Sequence, residues 1–276
     1  MPHLRLIHIN RADQASTLTA STSASGFAAS AMQNDRKGEA HRSTGTSVTY
    51  TLTWTGGTTL GAVALPATNL TSAATIRLRL YDATSAGTLL ADSGTVTACP
   101  GLNLDNWAWT AARNVNAFAY GGASKAVAWL PANVAGVKRA VIDLADSGNP
   151  AGYIDCARIV AGPWWSPERN AGYGCTHQVI DATENARTDA GDLLSDRAPM
   201  HEELTYTLPA MTEADRARLV QLTRANGVYR PVFVSLLPAA GTAAEQDHMV
   251  YGKRKAAPVA HPFFATYTHD MTIESW

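Results

Sequence analysis

Two short clusters hold the residue types that could carry catalysis or bind a metal. Cys175-Thr176-His177 combines a thiol with an imidazole, so it could form a nucleophile or metal pair. His201-Glu202-Glu203 lacks the second histidine, one turn on, that a helical zinc site requires. The histidines are scattered without ligand spacing, and no nucleophile elbow or phosphate-binding loop is present. The sequence therefore predicts no catalytic residues, no metal site, no cofactor and a protein that is not an enzyme.

Aromatic side chains offer a different chemistry, which is stacking against sugar rings. Trp107 and Trp109 lie two residues apart, so they would face the same way in an extended segment and could form such a platform. The competing interpretation, which we rank first, is that they fill the end of a β-sandwich. Trp164-Trp165 lies where a junction between two domains needs bulky filler, and there packing is favoured more strongly.

Two groups of arginines could meet an acidic partner. Arg77 and Arg79 would share one exposed face of a strand, and they would bind an anion only if neighbouring strands add to their charge. The second group makes a predicted helix and its exit basic and could serve a neighbouring subunit, although helix surfaces are commonly charged. Its members are Arg216, Arg218, Arg224 and Arg230.

Charge and hydropathy exclude several classes of function. The chain of 276 residues has 22 Lys and Arg against 23 Asp and Glu, so no strong overall field attracts nucleic acid or anionic lipid. No apolar run is long enough for a membrane span, and the alternation of His3, Arg5 and His8 with apolar residues is unlike a signal peptide. Three cysteines without a CxxC spacing argue against a disulfide framework. These features predict no membrane insertion, no nucleic-acid partner and reduced thiols.

The elements that must position these residues are mostly strands. Apolar and polar residues alternate over 47–54 and 74–81, the period-two pattern of half-buried strands. A turn is predicted at Gly56-Gly57, and Gly162-Pro163 is predicted to stop the last strand of the first domain. Further strands are predicted at 60–65, 125–130, 138–144 and within 152–165. About eight short strands separated by turn signals are typical of a β-sandwich or jelly roll.

After residue 165 the pattern of apolar and polar residues changes. One helix is predicted at about 212–226, where Thr212 can cap it, acidic residues follow in the first turn and Gly227 can end it. Residues 166–192 are polar, strands are predicted at 203–208, 231–237, 248–253 and 263–273, and 239–247 is predicted to be a flexible loop. We therefore predict a mainly β protein: a jelly-roll or β-sandwich domain at 1–163, then a β domain with one α-helix at 164–276.

Two sets of segments carry a family resemblance. The N-terminal set is Ser43-Thr44 to Trp54, Ala62-Val63-Ala64-Leu65, Asn69-Leu70, Ala74 to Leu78 and the closing part within 140–162. The C-terminal set is Met211-Thr212-Glu213-Ala214-Asp215, Pro231-Val232-Phe233-Val234, Tyr251-Gly252-Lys253 and Ile273-Glu274. In the order of its segments and in their residue pattern, the N-terminal set resembles discoidin-like (galactose-binding-like) jelly-roll domains. The C-terminal set is similar to tail-tube-like domains. Most of the chain thus resembles distal-tail or baseplate proteins of long-tailed bacteriophages.

The resemblance implies a structural role in virion assembly. Tube-like domains associate edge to edge, so that open strands become intersubunit sheets of a closed ring. It implies a homo-oligomeric ring, a hexamer, at the phage tail tip, assembled in the host cytoplasm and joining the tail tube to the host-adsorption apparatus. The implied partners are the tail tube protein, the tape-measure protein, the baseplate hub and fibre or receptor-binding proteins.

A second hypothesis is a carbohydrate-binding adhesin of the phage tail, since jelly rolls often bind glycans in loops at one end. It predicts that Trp107 and Trp109 are exposed and that their replacement by alanine abolishes binding without unfolding. A glycan hydrolase would need two convergent carboxylates about 5–10 Å apart. Candidates such as Asp105 or Asp143 have no support in the sequence, so this reading ranks last.

Overall fold

The computed structural model describes residues 3–99, 123–241, 243–264 and 266–276, and strands dominate it. Up to residue 162 the strands are β1 (Arg5–Ile7), β2 (Thr17–Ala20), β3 (His41–Arg42), β4 (Ser47–Thr68), β5 (Thr75–Tyr81), β6 (Leu89–Asp92), β7 (Val96–Thr97), β8 (Ser124–Ala145), β9 (Asp155–Cys156) and β10 (Val160–Gly162). They continue as β11 (Trp164–Trp165), β12 (Thr176–Asp181), β13 (Glu184–Arg187), β14 (Leu193–Asp196), β15 (Met200–Met211), β16 (Val232–Ser235), β17 (Met249–Arg254), β18 (Val259–Phe263) and β19 (Thr266–Ser275). The helices are α1 (Glu213–Asn226) and α2 (Ala243–Asp247), with 3-10 turns at Ala12–Gln14 and Ala29–Gln33. The prediction of a mainly β fold is confirmed.

The described strands form two large antiparallel sheets and one separate hairpin. The nine-stranded sheet has the order β3-β9-β4-β8-β5-β6, with β2 and β10 also on β4 and β7 on β5. The eight-stranded sheet has the order β11-β1-β16-β17-β19-β15-β12, with β18 on β19. The hairpin pairs β13 with β14 and belongs to neither sheet.

Strands β4 and β8 are each one strand of 22 residues, where the sequence predicted two shorter strands in each place. They pair with one another along their length, and the register shifts repeatedly between Thr53 and Ala62. Such bulges bend a sheet and let one strand contribute to two layers. The predicted turn at Gly56-Gly57 is therefore wrong, because both glycines lie inside a continuous strand at this irregular stretch.

The bent sheet encloses the first hydrophobic core and forms the predicted sandwich. Tyr50 from the first half of β4 and Leu65 from its second half are both fully buried in one cluster, with Ile76 and Ile142. The alternation over 47–54 and 74–81 is confirmed, since every second residue there is buried. The two halves of the sheet therefore act as the two layers of a sandwich.

The eight-stranded sheet is covered on both faces. On one face Leu219 and Leu222 of α1 cluster with strand residues such as Tyr206. On the other face the sheet packs against the second half of β4, through a cluster that contains Ile7, Ala62, Ala64, Val127 and Phe233. The order of layers is thus sandwich, sheet, helix, and residues 60–68 of β4 are buried because they have a core on each side.

Strand β1 belongs to the second sheet although it begins the chain. It pairs with β16 on one side and with β11 on the other. Leu4 and Leu6 are fully buried in the core beneath α1. The division at residue 163 stays a prediction, but the sheets do not follow it at the N-terminus.

An ion cluster around a buried arginine fixes the sandwich to the eight-stranded sheet. Arg158 is 1% exposed and donates to both carboxylate oxygens of Asp13, at 2.6 and 2.7 Å. It also donates to the hydroxyl of Tyr251 in β17 at 3.1 Å, and that hydroxyl donates to Asp35 at 2.7 Å. Breaking a buried charge pair is costly because one charge is left uncompensated. The cluster therefore opposes any separation of the two sheets.

The predicted helix is present, and a second one replaces a predicted loop. Thr212 caps α1 by accepting a bond from the backbone nitrogen of Asp215 at 3.3 Å, and Gly227 follows its end with a φ of +55°. Helix α2 lies within 239–247, where a flexible loop was predicted. The buried carboxylate of Glu245 accepts bonds from the backbone nitrogens of Ala239 and Gly241, at 2.9 and 2.8 Å, which holds this turn together.

The junction region also differs from its prediction. Instead of one strand within 152–165, the chain forms β9 and β10 in the sandwich sheet and β11 in the other sheet. Only Pro163 separates β10 from β11. The strands β12, β13 and β14 were not predicted, because their residues are polar, mostly exposed and carry no apolar alternation.

Candidate functional site

The predicted sugar platform, Trp107 and Trp109, lies outside the described residues. The tryptophans at the junction are packed against other side chains. The guanidinium of Arg5 lies 4.4 Å from the centre of the Trp164 ring and 5.3 Å from that of Trp129. Trp165 packs against the core beneath α1. Trp164 packs between the sandwich and the eight-stranded sheet, and Trp165 packs between that sheet and α1. Both junction tryptophans therefore have a packing role.

The two arginines of β5 are neutralised within the chain. Arg77 pairs with Asp92 at 2.5 Å, and Arg79 pairs with Asp143 at 2.6 Å. Arg77 holds the pKa of the Asp92 carboxyl down at about 2. A strand face whose cations are already paired has little charge left for an external anion.

The cysteine and histidine clusters lie on or beside the neighbouring strands β12 and β15. Cys175 packs against the core beneath α1, whereas the Nε2 atom of His177 lies 3.6 Å from Glu202. Among the described residues no group of His, Cys, Asp and Glu could hold a metal ion. Cys99 and Cys156 are free and buried, and burial raises the pKa of both thiols to about 12.

Glu202 of β15 is a charged link between the layers. It pairs with Lys125 of β8, in the sandwich, at 2.5 Å. Burial alone would raise the pKa of Glu202, but Lys125 and His177 outweigh burial and hold it down at about 2. Glu202 is therefore ionised at neutral pH and serves as a structural anion.

A shallow cup of about 370 Å³ opens on the sandwich beside the 3-10 turn Ala29–Gln33. The ring of Phe27 forms an apolar part of its lining, and Asn34 and Glu39 form a polar part. Asn34 donates to Glu39 at 2.7 Å, and Arg36 pairs with the same carboxylate at 2.7 Å. An aromatic ring beside an amide and a carboxylate has the chemistry that suits a sugar, which offers an apolar face and hydroxyls.

The aromatic part of this cup packs against the guanidinium of Arg42. The guanidinium of Arg42 lies 4.7 Å from the ring centre of Phe27 and 4.1 Å from that of Tyr153. It also donates twice to the buried carboxylate of Asp155, each time at 2.8 Å. Phe27 therefore packs beside an arginine that is itself held by a buried carboxylate.

Strand β12 is an open edge of the eight-stranded sheet. It pairs with β15 in unbroken register over six residues, and no described strand pairs with its outer side. Monomeric proteins protect such edges with lysine, proline or bulges. β12 carries none of these, and Val179 in its middle is 59% exposed.

The hairpin of β13 and β14, which we call the arm (residues 184–196), continues beyond the paired ends of β12 and β15. It lies between β12 and β15 in the chain, beyond the point where Asp181 pairs with Met200. All residues of both its strands are exposed, including Leu193 at 58% and Leu194 at 59%. The arm therefore contributes little to either core of the monomer.

Comparison with known proteins gives a likeness of fold and no family. No protein-family model matches the sequence, and no curated protein matches it. A Streptococcus pneumoniae fucose binding module is 10% identical with a TM-score of 0.37, over 56% of this chain and 95% of that one. The family 32 module from C. perfringens NanJ, in complex with galactose, is 10% identical with a TM-score of 0.37, over 58% and 99%. A chitosan-binding module from Paenibacillus sp. IK-5 is 15% identical with a TM-score of 0.36, over 56% and 98%.

These TM-scores lie below 0.5, so the likenesses assign no ligand to this chain. The geometry of the chain itself offers two candidate surfaces: the open edge with its arm, and the cup. Sequence reasoning found neither, since β12, the arm and Phe27 lie in segments without apolar periodicity. No helix within the described ranges is long and apolar enough to cross a membrane.

Proposed function

We propose that this protein is a structural assembly component whose copies join through the β12 edge. The observation that carries the proposal is the unprotected edge itself, six residues long and without lysine, proline or a bulge. An edge of this kind exposes a row of unpaired backbone groups, which a strand of another chain can satisfy. The exposed Val179 adds apolar area to that contact.

We propose a head-to-tail arrangement of the copies, in which the β12 edge of one copy meets the opposite edge of the next. The opposite edge of the same sheet is β11, which has only two residues and lies beside β1. The two edges are different, so a contact between them is heterologous and closes into a ring when the rotation permits. The hexameric ring at a phage tail tip, with tube, tape-measure, hub and fibre partners, is our finer proposal for this assembly and rests on the sequence resemblance.

The test compares the oligomeric state of the wild type with that of Val179→Lys, by light scattering after gel filtration. Lysine in the middle of an edge strand opposes strand addition while its side chain remains in solvent. We expect the wild type to be oligomeric and Val179→Lys to be monomeric, with an unchanged circular dichroism spectrum. Leu89→Lys, an exposed leucine on β6, is the control and should assemble normally. A wild type that stays monomeric at high concentration, or a variant that assembles fully, would refute the edge contact.

A second candidate function is carbohydrate binding by the sandwich, which the cup favours. Phe27 could stack on the apolar face of a sugar, and Asn34 and Glu39 could bond to hydroxyls. The solved structures of similar fold include modules described as binding fucose, galactose and chitosan. Their similarity is too low to transfer a ligand, so the cup carries this candidate.

Glycan-array binding, followed by calorimetry on any hit, tests the second candidate. Phe27→Ala should abolish binding if the cup holds the sugar, whereas Trp107→Ala with Trp109→Ala should abolish it if the sequence-predicted platform does. Ser21→Ala, exposed on the same domain and outside the cup lining, is the control. Absence of binding to every glycan would reject this function and leave the assembly role standing.

A further inference from the structure

The arm combines exposed leucines with several charged side chains. Its exposed leucines, Leu193 and Leu194, stand among four carboxylates and one guanidinium. The carboxylates are Glu184, Asp189, Asp192 and Asp196, and the guanidinium is that of Arg187. None of these carboxylates forms an ion pair with another described residue. Adjacent strand residues point to opposite faces, so Leu193 shares a face with Arg187, whereas Leu194 shares the other face with Asp196 and Glu184. The Leu194 face therefore combines exposed apolar area with unpaired negative charge.

A surface of the opposite character lies at the C-terminal end of α1. We call it the helix-end patch and define it by Arg224, Val228, Tyr229 and Arg230. Val228 and Tyr229 are 52% and 63% exposed, and both arginines are exposed. No acidic residue occurs between Arg216 and Arg230, and neither arginine of the patch has an ionic partner within the described ranges. The patch thus combines exposed apolar area with unpaired positive charge.

The two surfaces lie near different strands of the eight-stranded sheet. The arm continues from the ends of β12 and β15, the strands at one edge. The last residue of α1, Asn226, instead donates to the backbone oxygen of His8, which directly follows β1, and Arg254 of β17 donates to Thr223. β1 is the neighbour of the other edge strand, β11. Side-by-side copies repeated in one direction would bring the arm of one copy toward the helix-end patch of the next.

We propose that the arm of one copy of this chain docks on the helix-end patch of the next copy. The inference rests on the proposed assembly and adds the surfaces that set its direction. Leu194 of the arm would pack on Val228 and Tyr229, while the aspartates of the arm meet Arg224 and Arg230. Complementary charge of this kind sets orientation and partner choice, while the apolar contact supplies affinity.

Charge reversal with rescue tests the contact. The patch variant carries Arg224→Glu with Arg230→Glu, and the arm variant carries Asp192→Arg with Asp196→Arg. Each variant alone should weaken self-association by about tenfold or more, because like charges then face one another. Sedimentation equilibrium or light scattering measures the change. A mixture of the patch variant with the arm variant, or one chain carrying all four changes, should regain association. Rescue distinguishes a contact from a general effect of charge.

The control carries Arg169→Glu with Lys253→Glu, two exposed cations outside the patch, and it should associate as the wild type does. Circular dichroism shows whether each variant folds, and an arm variant that fails to fold is replaced by deletion of residues 184–196. If Val179→Lys blocks association but the charge reversals change nothing, the docking contact is wrong and the edge contact stands. If the reversals weaken association without mutual rescue, the pairing of arm with patch is wrong.

Discussion

Gly61 shows how closely the layers meet at a single residue. A Cβ atom at this position would lie 2.0 Å from the Oδ1 atom of Asn133 and 2.7 Å from the Trp164 ring. Asn133 also binds the backbone of Trp164 through both groups of its amide, at 2.9 Å each. The glycine is therefore required by the close approach of β4 to the junction tryptophan.

We predict that Gly61→Ala destabilises the fold by about 1–3 kcal/mol, the usual cost of inserting an atom into a filled space. Urea unfolding followed by tryptophan fluorescence measures the loss. Gly56→Ala is the matched control on the same strand, because nothing lies within 4 Å of a Cβ atom there. Equal stability of the two variants would contradict the packing described here.

Glu202 makes the stability of the fold depend on acid pH. Its pKa in the folded chain is held down at about 2, below the ordinary value of 4.5. A carboxyl with a lowered pKa contributes stability that is fully present above its unfolded pKa and is lost as the pH falls toward the folded pKa. The contribution of Glu202 should therefore be present above about pH 4.5 and disappear between pH 4.5 and pH 2.

We predict that Glu202→Gln lowers the free energy of unfolding by about 1–2 kcal/mol at pH 7, after allowance for solvent screening. The difference from wild type should shrink as the pH falls through that acid window. Chemical unfolding at a series of pH values measures it. Glu203→Gln on the same strand, whose partner Lys255 is half-exposed, is the control and should have a smaller effect. A difference between wild type and Glu202→Gln that is independent of pH would argue against the charged link.

At the scale of elements, strands with one buried face were predictable and polar strands were not. The alternation in β4 and β5 predicted both their existence and their buried residues. The length of β4 could not be predicted, because Gly56-Gly57 is typical of a turn and the bend depends on pairing with β8. Strand β12 and the arm carry no such pattern. Their polar side chains are exposed to solvent, and polar side chains give no apolar alternation from which a strand could be predicted. The adjacent leucines at 193 and 194 within a polar segment were an available clue to the arm.

The arm should be dispensable for folding. Its strands are exposed along their whole length and belong to neither sheet. We therefore predict that replacing residues 184–196 with a short glycine turn leaves the melting temperature of the monomer within a few degrees of the wild type. Differential scanning calorimetry on the Val179→Lys background measures this without interference from assembly. A large fall in melting temperature would show that the arm stabilises the monomer.

At the scale of the whole molecule, the two sheets depend on one another. β1 stands between β11 and β16 in the second sheet, so a chain that starts at residue 164 lacks an internal strand. The cluster of Arg158, Asp13 and Tyr251 and the apolar layer around Phe233 also cross the boundary. The sequence could not predict this, because pairing between residues 5–7 and 233–235 leaves no local pattern.

We predict that residues 164–276 expressed alone do not form a cooperative fold, and that addition of a peptide of residues 1–9 does not fully restore it. The intact chain should instead unfold in a single transition. Proton–nitrogen correlation spectra of the fragment and calorimetry of the whole chain are the measurements. A well-dispersed spectrum from the fragment would establish an independent domain at 164–276 and contradict the shared core.

The central claim is that copies of this chain assemble head to tail through the open β12 edge. Electron microscopy of the purified full chain, with class averages viewed along the axis of the particles, tests it most directly. We predict closed rings of identical subunits with rotational symmetry, which Val179→Lys abolishes and Leu89→Lys preserves. Single particles of one chain at every concentration, or particles in which Val179→Lys leaves the rings unchanged, would contradict the account.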